Sequence, residues 1–191
     1  MNLKLIIIIC FSYFYGFFEI FMSIRQRRNR KLDIVQKGDK ASIYLLLSLI
    51  AIGFYLAFQF GMSKTGRIYH WNTMFAIGVI LVIAGMIIRI TSIQTLKQHF
   101  TFTVTKIEGH ELIESGLYKY IRHPGYLGQI LLFGGIGISM SNWLSAVSML
   151  IPVCIGFIYR IYVEEKFMTQ QMGKAYLDYK SRTKRLIPFF Y

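Results

Sequence analysis

Residues 72–90 read NTMFAIGVILVIAGMIIRI, a stretch in which Arg89 is the only charged side chain. An α-helix rises 1.5 Å per residue, so a crossing of the hydrocarbon core of a bilayer, about 30 Å thick, takes about 20 predominantly apolar residues. Backbone groups in lipid must also satisfy their own hydrogen bonds, which favours a helix. The stretch therefore predicts a membrane-spanning helix.

Four other apolar stretches accompany it, at residues 3–24, 41–61, 126–140 and 143–159. The first has no small-residue cleavage site, so we expect a span there and not a removed signal peptide. The stretch at 126–140 is short, and two residues separate it from the next, which predicts a tight helical hairpin. The expected fold is an all-α integral membrane protein of about five transmembrane helices.

The composition agrees with a protein that lies in lipid. The chain has 191 residues, of which 54% are hydrophobic and 16% charged, and its mean hydropathy is +0.46. Soluble domains are about 45–50% apolar and about 25% charged. The net charge of +13 could indicate nucleic-acid binding, but no nucleic-acid-binding motif accompanies it.

The basic residues instead follow the predicted topology. Residues 25–40 hold seven, residues 89–125 five and residues 160–191 seven of the 22 lysines and arginines. Five crossings place these three segments on one side of the membrane. By the positive-inside rule that side is the cytoplasm, so the N-terminus is expected outside and the C-terminus inside.

The loop at residues 109–128, GHELIESGLYKYIRHPGYLG, is the densest cluster of polar and turn-forming residues beside a predicted membrane entry. It fits either a basic juxtamembrane anchor with interfacial tyrosines or a ligand site. The glycine run at residues 134–137 lies inside an apolar stretch, so close helix packing is expected there and not a phosphate-binding loop. No cysteine–histidine set has zinc spacing, and no metal is expected.

Charged residues at the membrane boundary form a second candidate cluster. Arg160 and Glu164 are four residues apart and share one face of a helix. Such a pair is a functional candidate, with an interfacial anchor as the alternative. We expect Arg89 to be a snorkelling anchor. Glu19 should face protein or the interface, and the sequence assigns it no role.

Two sequence blocks, in this order, resemble the isoprenylcysteine carboxyl methyltransferase family and its phospholipid methyltransferase relatives, over about residues 85–190. The first block is Gly116-Leu117-Tyr118 followed by Arg122-His123-Pro124-Gly125-Tyr126-Leu127-Gly128, and the second is Glu164-Glu165, Gly173, Tyr176, Tyr179, Arg182-Thr183 and Arg185-Leu186-Ile187-Pro188. The short chain is similar to the prokaryotic type, which implies a prokaryotic cytoplasmic membrane.

The resemblance implies a methyltransferase that uses S-adenosyl-L-methionine and releases S-adenosyl-L-homocysteine. Its substrate-binding and catalytic residues fall on Arg160 and Glu164. Its cofactor contacts fall on nine positions: His110, Glu111, Leu112, Ile113, Tyr118, His123, Pro124, Gly125 and Tyr126. A glutamine that contacts the cofactor in eukaryotic members falls on Thr103, which leaves that contact open.

This interpretation makes residues 1–191 a single membrane domain. Residues 1–90 supply three N-terminal spans, and residues 91–191 form a catalytic half with the loop, the hairpin and an amphipathic tail. We expect the tail, residues 164–186, to be a helix on the membrane or under the bundle. Its apolar positions share one face: Phe167, Met168, Met172, Tyr176 and Tyr179.

The chemistry of the reaction suggests roles for several of these residues. His123 and backbone amides near Tyr126 can hold the carboxylate or ribose of the cofactor, and the Tyr118 or Tyr126 ring can face its sulfonium. Arg160 can bind a carboxylate through two hydrogen bonds, with Glu164 orienting it or the acceptor. A carboxylate is ionised at neutral pH, so its methylation needs alignment more than a strong base.

Three functions remain open at this stage. The first is methyl transfer to a carboxylate or hydroxyl of a lipophilic acceptor such as a prenylated cysteine. The second is N-methylation of a phospholipid amine, and the third is a non-enzymatic membrane scaffold or transporter. The expected partners are this acceptor and the lipid bilayer, without nucleic acid, and the oligomeric state is not predicted.

Overall fold

The fold is taken from a computed structural model, which describes residues 3–28, 34–37, 39, 41–97, 105–107 and 112–187. Six α-helices and a small sheet lie in these ranges. The helices are α1 (Leu3–Arg28), α2 (Ala41–Met62), α3 (Trp71–Leu96), α4 (Pro124–Ser139), α5 (Trp143–Met172) and α6 (Lys174–Arg182). Within the described ranges, α1, α2, α3 and α5 are long and apolar enough to cross a membrane. The protein is therefore a helical membrane protein.

The helix α4 is shorter than a membrane crossing. Its 16 residues span about 24 Å, against about 30 Å for the hydrocarbon core. It is not among the four candidate spans, so the predicted fifth crossing stays a prediction. Most of α4 is buried against its neighbours. Burial inside the protein explains how a short helix can lie at the centre of the bundle.

Glycines set the close approach of α3 and α4. A Cβ on Gly135 would lie 2.5 Å from the carbonyl oxygen of Gly78, and a Cβ on Gly128 would lie 2.6 Å from that of Gly85. Side chains at these positions would force the two backbones apart. The expectation that the glycine run serves helix packing is thus confirmed.

The other face of α4 lines the apolar core. Phe133 makes edge-on aromatic contacts with Tyr15 of α1 and Phe54 of α2. The helices α2 and α5 pack together with Gly53 against the backbone of Met149. A Cβ on Gly134 of α4 would lie 3.0 Å from Leu150 of α5, so α4 contacts helices from both ends of the chain.

Asn142 organises the end of the bundle at which α4 connects to α5. Its side-chain oxygen accepts hydrogen bonds from the backbone N–H groups of Leu144 (2.9 Å) and Ser145 (3.2 Å), which caps α5. Its side-chain nitrogen donates to the carbonyl oxygens of Phe60 and Thr65, both at 2.7 Å. One buried amide thereby joins the start of α5 to the end of α2.

The tail and the connecting loops differ from expectation. Helix α5 continues to Met172, and Gly173, with φ +56°, separates it from α6. The prediction of one helix over residues 164–186 is therefore wrong, because the chain breaks where glycine permits a left-handed backbone. The antiparallel strands β1 (Ile34–Lys37) and β2 (Thr105–Ile107) were not predicted.

Candidate functional site

The candidate site lies where the N-terminal ends of α2 and α4 meet the second half of α5. Arg160 of α5 is 2% exposed, and its Nη1 donates a hydrogen bond of 2.5 Å to the hydroxyl of Ser42 in the first turn of α2. The guanidinium also interacts electrostatically with Tyr126, Glu164 and Asp39. Buried arginines require such partners, because an isolated charge in an apolar interior is costly.

Asp39 fixes the first turn of α2, on which Ser42 lies. Its two carboxylate oxygens accept hydrogen bonds of 2.8 Å from the backbone N–H groups of Ala41 and Ser42. These bonds, the one from Ser42 above all, lower the pKa of the Asp39 carboxyl from its ordinary value. The turn that presents Ser42 to Arg160 is thereby capped at neutral pH.

Tyr126 links the start of α4 to Glu164 of α5. Its hydroxyl donates a hydrogen bond of 2.7 Å to Glu164 Oε2. The His123 ring stacks on the Tyr126 ring at 5.5 Å between centroids, and Phe157 lies at 5.1 Å on a tilted plane. Two aromatic neighbours and one carboxylate therefore hold Tyr126 in one orientation.

Glu165, the next residue along α5, is a buried acid among basic groups. It is 3% exposed, and its Oε1 lies 2.7 Å from Arg122 Nε and 3.4 Å from His123 Nε2. Its Oε2 lies 3.5 Å from Lys180 Nζ and 3.2 Å from Arg185 Nε. One carboxylate thus connects the residues before α4, helix α6 and the segment after it.

The backbone reinforces this connection. The N–H groups of Arg122 and His123 donate to the carbonyl oxygens of Lys184 (2.8 Å) and Arg185 (3.0 Å). Lys184 returns a bond of 3.1 Å to the carbonyl of Tyr120. Lys184 and Arg185 therefore lie beside the segment that carries the candidate histidine.

The phenols next to this segment are protonated at neutral pH. Burial raises the pKa of the Tyr118, Tyr176 and Tyr179 hydroxyls well above its ordinary value. Tyr179 uses its hydroxyl to donate a bond of 2.7 Å to the carbonyl of Tyr118. These residues shape the site and do not act as bases near pH 7.

Comparison with known proteins identifies the family. A phospholipid methyltransferase family model matches residues 73–175, more than half of the chain. Protein-S-isoprenylcysteine O-methyltransferase B of Arabidopsis thaliana is 31% identical over 151 residues, 76% of this chain and 74% of that protein. The chain belongs to the isoprenylcysteine carboxyl methyltransferase family.

Two more members show the range of the likeness. Protein-S-isoprenylcysteine O-methyltransferase A of Arabidopsis thaliana is 36% identical over 63% of this chain and 61% of its own length. A solved structure of a eukaryotic intramembrane Ras methyltransferase of this family is 28% identical with a TM-score of 0.59. That match covers 76% of this chain, which spans about half (51%) of the solved chain.

The relatives named here are eukaryotic. The expectations of a prokaryotic type of this family and of a prokaryotic membrane therefore receive no support from them.

The structure brings together four of the residues to which the family resemblance assigns a role, namely His123, Tyr126, Arg160 and Glu164. Pro124 and Gly125 form the first turn of α4, and Tyr118 lies in a short 3₁₀ helix (Gly116–Lys119) before it. Leu112 and Ile113 are half-buried in irregular chain. His110, Glu111 and Thr103 lie outside the described residues, as does Pro188 of the second sequence block.

One hydrogen-bond donor that was expected to bind the cofactor already has a partner within the protein. The backbone amide of Tyr126 donates to the carbonyl oxygen of His123 at 3.1 Å, as does that of Leu127. These N–H groups begin the hydrogen-bond ladder of α4. The Glu164 carboxylate accepts the Tyr126 hydroxyl and is one-third exposed, so it can accept a further hydrogen bond.

Sequence reasoning misjudged Arg89 and missed Ser42, whereas Glu19 faces protein as expected. Arg89 is 4% exposed and forms an ion pair with Glu19, with 2.9 Å between Arg89 Nε and Glu19 Oε1. The prediction that Arg89 is a snorkelling anchor is therefore wrong, because its partner is a carboxylate on another helix. The one sequence feature that could have indicated Ser42 is Asp39, a helix-capping residue three positions earlier.

Proposed function

We propose that this protein is an S-adenosylmethionine-dependent methyltransferase that methylates the carboxylate of a lipophilic acceptor such as a prenylated cysteine. The observation that carries the proposal is Arg160, a guanidinium buried at the end of apolar helices beside the residues of the family segment. A carboxylate attached to a lipid-like group needs a cation of this kind next to an apolar region.

The residues present fit the methyl donor by their chemistry. Glu164, whose side chain is one-third exposed, can accept hydrogen bonds from hydroxyls or pair with an ammonium group. The neighbouring His123 and Tyr126 rings provide an aromatic wall. When bound, S-adenosylmethionine supplies an electrophilic methyl group on a sulfonium.

In the proposed reaction the acceptor carboxylate oxygen forms a bond to the methyl carbon while the carbon–sulfur bond breaks. The products are a methyl ester and S-adenosylhomocysteine, and no proton is transferred. Arg160 orients the acceptor, Glu164 and Ser42 orient Arg160, and the packed helices exclude water. Alignment of this kind is the main contribution that an enzyme can make to such a transfer.

The proposed orientation places this site at the cytoplasmic face. It is supported by the 19 of 22 lysines and arginines that five crossings would place on that side. The cofactor is polar and would reach the site from water, while the acceptor would enter from the bilayer. A cysteine-scanning accessibility experiment on intact cells, with positions in 63–70 and 174–187, tests this orientation.

N-methylation of a phospholipid amine is the second candidate function. It is favoured by the match of residues 73–175 to the phospholipid methyltransferase model. An amine acceptor must lose a proton, and Glu164 is the acid near Tyr126 that would have to take it. Arg160 supports the carboxylate acceptor, because a guanidinium repels a cationic head group.

The test uses purified protein, methyl-tritiated S-adenosylmethionine and an acceptor pool of farnesylcysteine and total membrane lipid. Base treatment of the organic extract releases volatile methanol from methyl esters alone. Volatile label that disappears with Arg160→Ala, while binding of S-adenosylmethionine survives, supports the proposal. Label retained in the lipid fraction would instead favour N-methylation. No label in any acceptor would refute methyl transfer to prenylcysteine and to membrane lipids.

A further inference from the structure

A polar network crosses the apolar interior between α1, α3 and α4. Arg89 of α3 donates two hydrogen bonds of 2.9 Å to the two carboxylate oxygens of Glu19 in α1. Tyr15 donates to Glu19 Oε1 at 2.6 Å, and Gln129 of α4 donates to the Tyr15 hydroxyl at 2.8 Å. Ionisable groups in membrane segments are costly and mark functional places by default.

Few side chains of helix α1 are buried in the bundle, among them Ile8 and Tyr15 in the apolar core. Only 11% of its apolar window is buried, and many of its large side chains point outward. At its opposite end Lys4 contacts Asn72 and lies 5.5 Å from the centre of the Trp71 ring. The ion pair of Glu19 and Arg89 is therefore one of the main contacts between α1 and the bundle.

Arg89 lies against the first turn of α4. A Cβ added to Gly125 would come within 2.9 Å of Arg89 Nη1, and one added to Gly128 within 2.9 Å of Arg89 N. The guanidinium therefore touches the turn that follows His123 and carries Tyr126. Glycine at position 125 makes room for it.

Electrostatics explains why this guanidinium needs Glu19. The N-terminus of a helix carries about half a positive charge, which repels a cation. Glu19 neutralises Arg89 through two charge-assisted hydrogen bonds and keeps it against Gly125. Without Glu19 the buried Arg89 would lose the carboxylate that neutralises it beside the start of α4, a strongly unfavourable change.

We propose that Glu19 is a positioning residue for the methyl-donor side of the site. It holds Arg89, and through Arg89 the first turn of α4, so that His123 and Tyr126 keep their orientation. Helix α1, which lies outside the family-model match at residues 73–175, thereby completes the site. The proposal rests on the proposed function and adds a role for the N-terminal span.

The test compares Glu19→Gln and Glu19→Asp with the control Lys4→Gln, all in the full chain in detergent. Lys4→Gln loosens α1 at its other end without touching Arg89. We measure the Kd of tritiated S-adenosylmethionine at equilibrium, the KM of each substrate, kcat and the melting temperature. Glu19→Gln should raise the Kd and KM of the methyl donor about tenfold, equivalent to about 1.4 kcal/mol. The acceptor KM should stay within about twofold.

Glu19→Asp keeps the charge and should raise the donor Kd by only about threefold, whereas Lys4→Gln should leave it unchanged. An unchanged donor Kd in Glu19→Gln, or an equal rise in Lys4→Gln, overturns the proposal. If Glu19→Gln does not fold, the donor Kd of Glu19→Asp is the deciding measurement. A wild-type donor Kd in Glu19→Asp would then overturn the proposal. Failure of the wild-type protein to bind S-adenosylmethionine would instead refute the proposed function.

Discussion

Replacement of Glu165 by glutamine tests whether one buried carboxylate holds α6 and the segment up to Arg185 against the residues before α4. The substitution keeps the shape of the side chain and removes its charge. Arg122 and His123, at 7% and 6% side-chain exposure, would lose a buried counter-charge. Lys180 and Arg185, at 31% and 37%, are partly screened by solvent.

The expected cost follows from this difference in exposure. Breaking a buried ion pair by removing one partner costs about 3–5 kcal/mol, whereas an exposed pair contributes about 0–1 kcal/mol. Arg122 therefore dominates, and the partly exposed Lys180 and Arg185 add little. In a chain of this size 1 kcal/mol shifts the melting temperature by about 2–4 °C. Glu165→Gln should thus lower the melting temperature by about 6–20 °C.

The matched control is Glu114→Gln. Glu114 pairs with Arg182 at 3.0 Å, but the two side chains are 36% and 61% exposed. Its loss should shift the melting temperature by about 4 °C or less, because solvent screens an exposed pair. Both variants remove a carboxylate that pairs with an arginine, one buried among several basic groups and one exposed with a single partner.

The assay combines thermal unfolding in detergent with hydrogen exchange of the backbone. In Glu165→Gln, exchange should rise at Arg122, His123 and Lys184, whose N–H groups bond between the two segments. Exchange in α3 should be unchanged. Equal melting shifts for Glu165→Gln and Glu114→Gln, or unchanged exchange at these three amides, would refute the reasoning.

Three other predictions concern acceptor binding, capping and helix packing. Ser42→Ala should raise the acceptor KM about tenfold without changing the Kd of S-adenosylmethionine, because it removes a hydrogen bond to a buried guanidinium. The control Ser48→Ala, on the exposed face of the same helix, should change neither value. Asn142→Ala should cost about 2 kcal/mol of stability, seen as a drop of about 4–8 °C in thermal unfolding, since it removes the cap of α5 and two bonds to the end of α2. Gly135→Ala should destabilise the bundle by about 1–3 kcal/mol by the same measurement, whereas Gly16→Ala, which meets nothing within 4 Å, should be neutral.

The hydropathy pattern located the membrane-spanning helices well, because side chains that face lipid must be apolar however the helices pack against one another. The pattern failed at the end of α5. It predicted that the helix ends at residue 159, whereas the helix continues to Met172. The polar residues Arg160 and Glu165 are buried there in protein. A hydropathy pattern reads such residues as the end of a span, although they belong to the same helix.

The site was predictable only where a local motif carries it. His123 and Tyr126 lie three residues apart, and Arg160 and Glu164 lie four apart, so short spacing places each pair on one face. Ser42 and Arg160 are 118 positions apart, and Glu19 and Arg89 are 70 apart. Contacts of that separation depend on how the helices pack, which a single sequence does not specify.

The arrangement of the site suits a reaction that needs alignment more than proton transfer. Tyr126 belongs to the segment with predicted cofactor contacts, and its hydroxyl bonds to Glu164, one turn from Arg160 on α5. Tyr126 and Glu164 join the proposed donor side to Arg160 on the proposed acceptor side. The link consists of the hydrogen bond of 2.7 Å between Tyr126 and Glu164 and the electrostatic interaction of Glu164 with Arg160. Because in-line transfer is sensitive to shifts of about 1 Å, a shared, rigid Tyr126 is more useful there than a strong base.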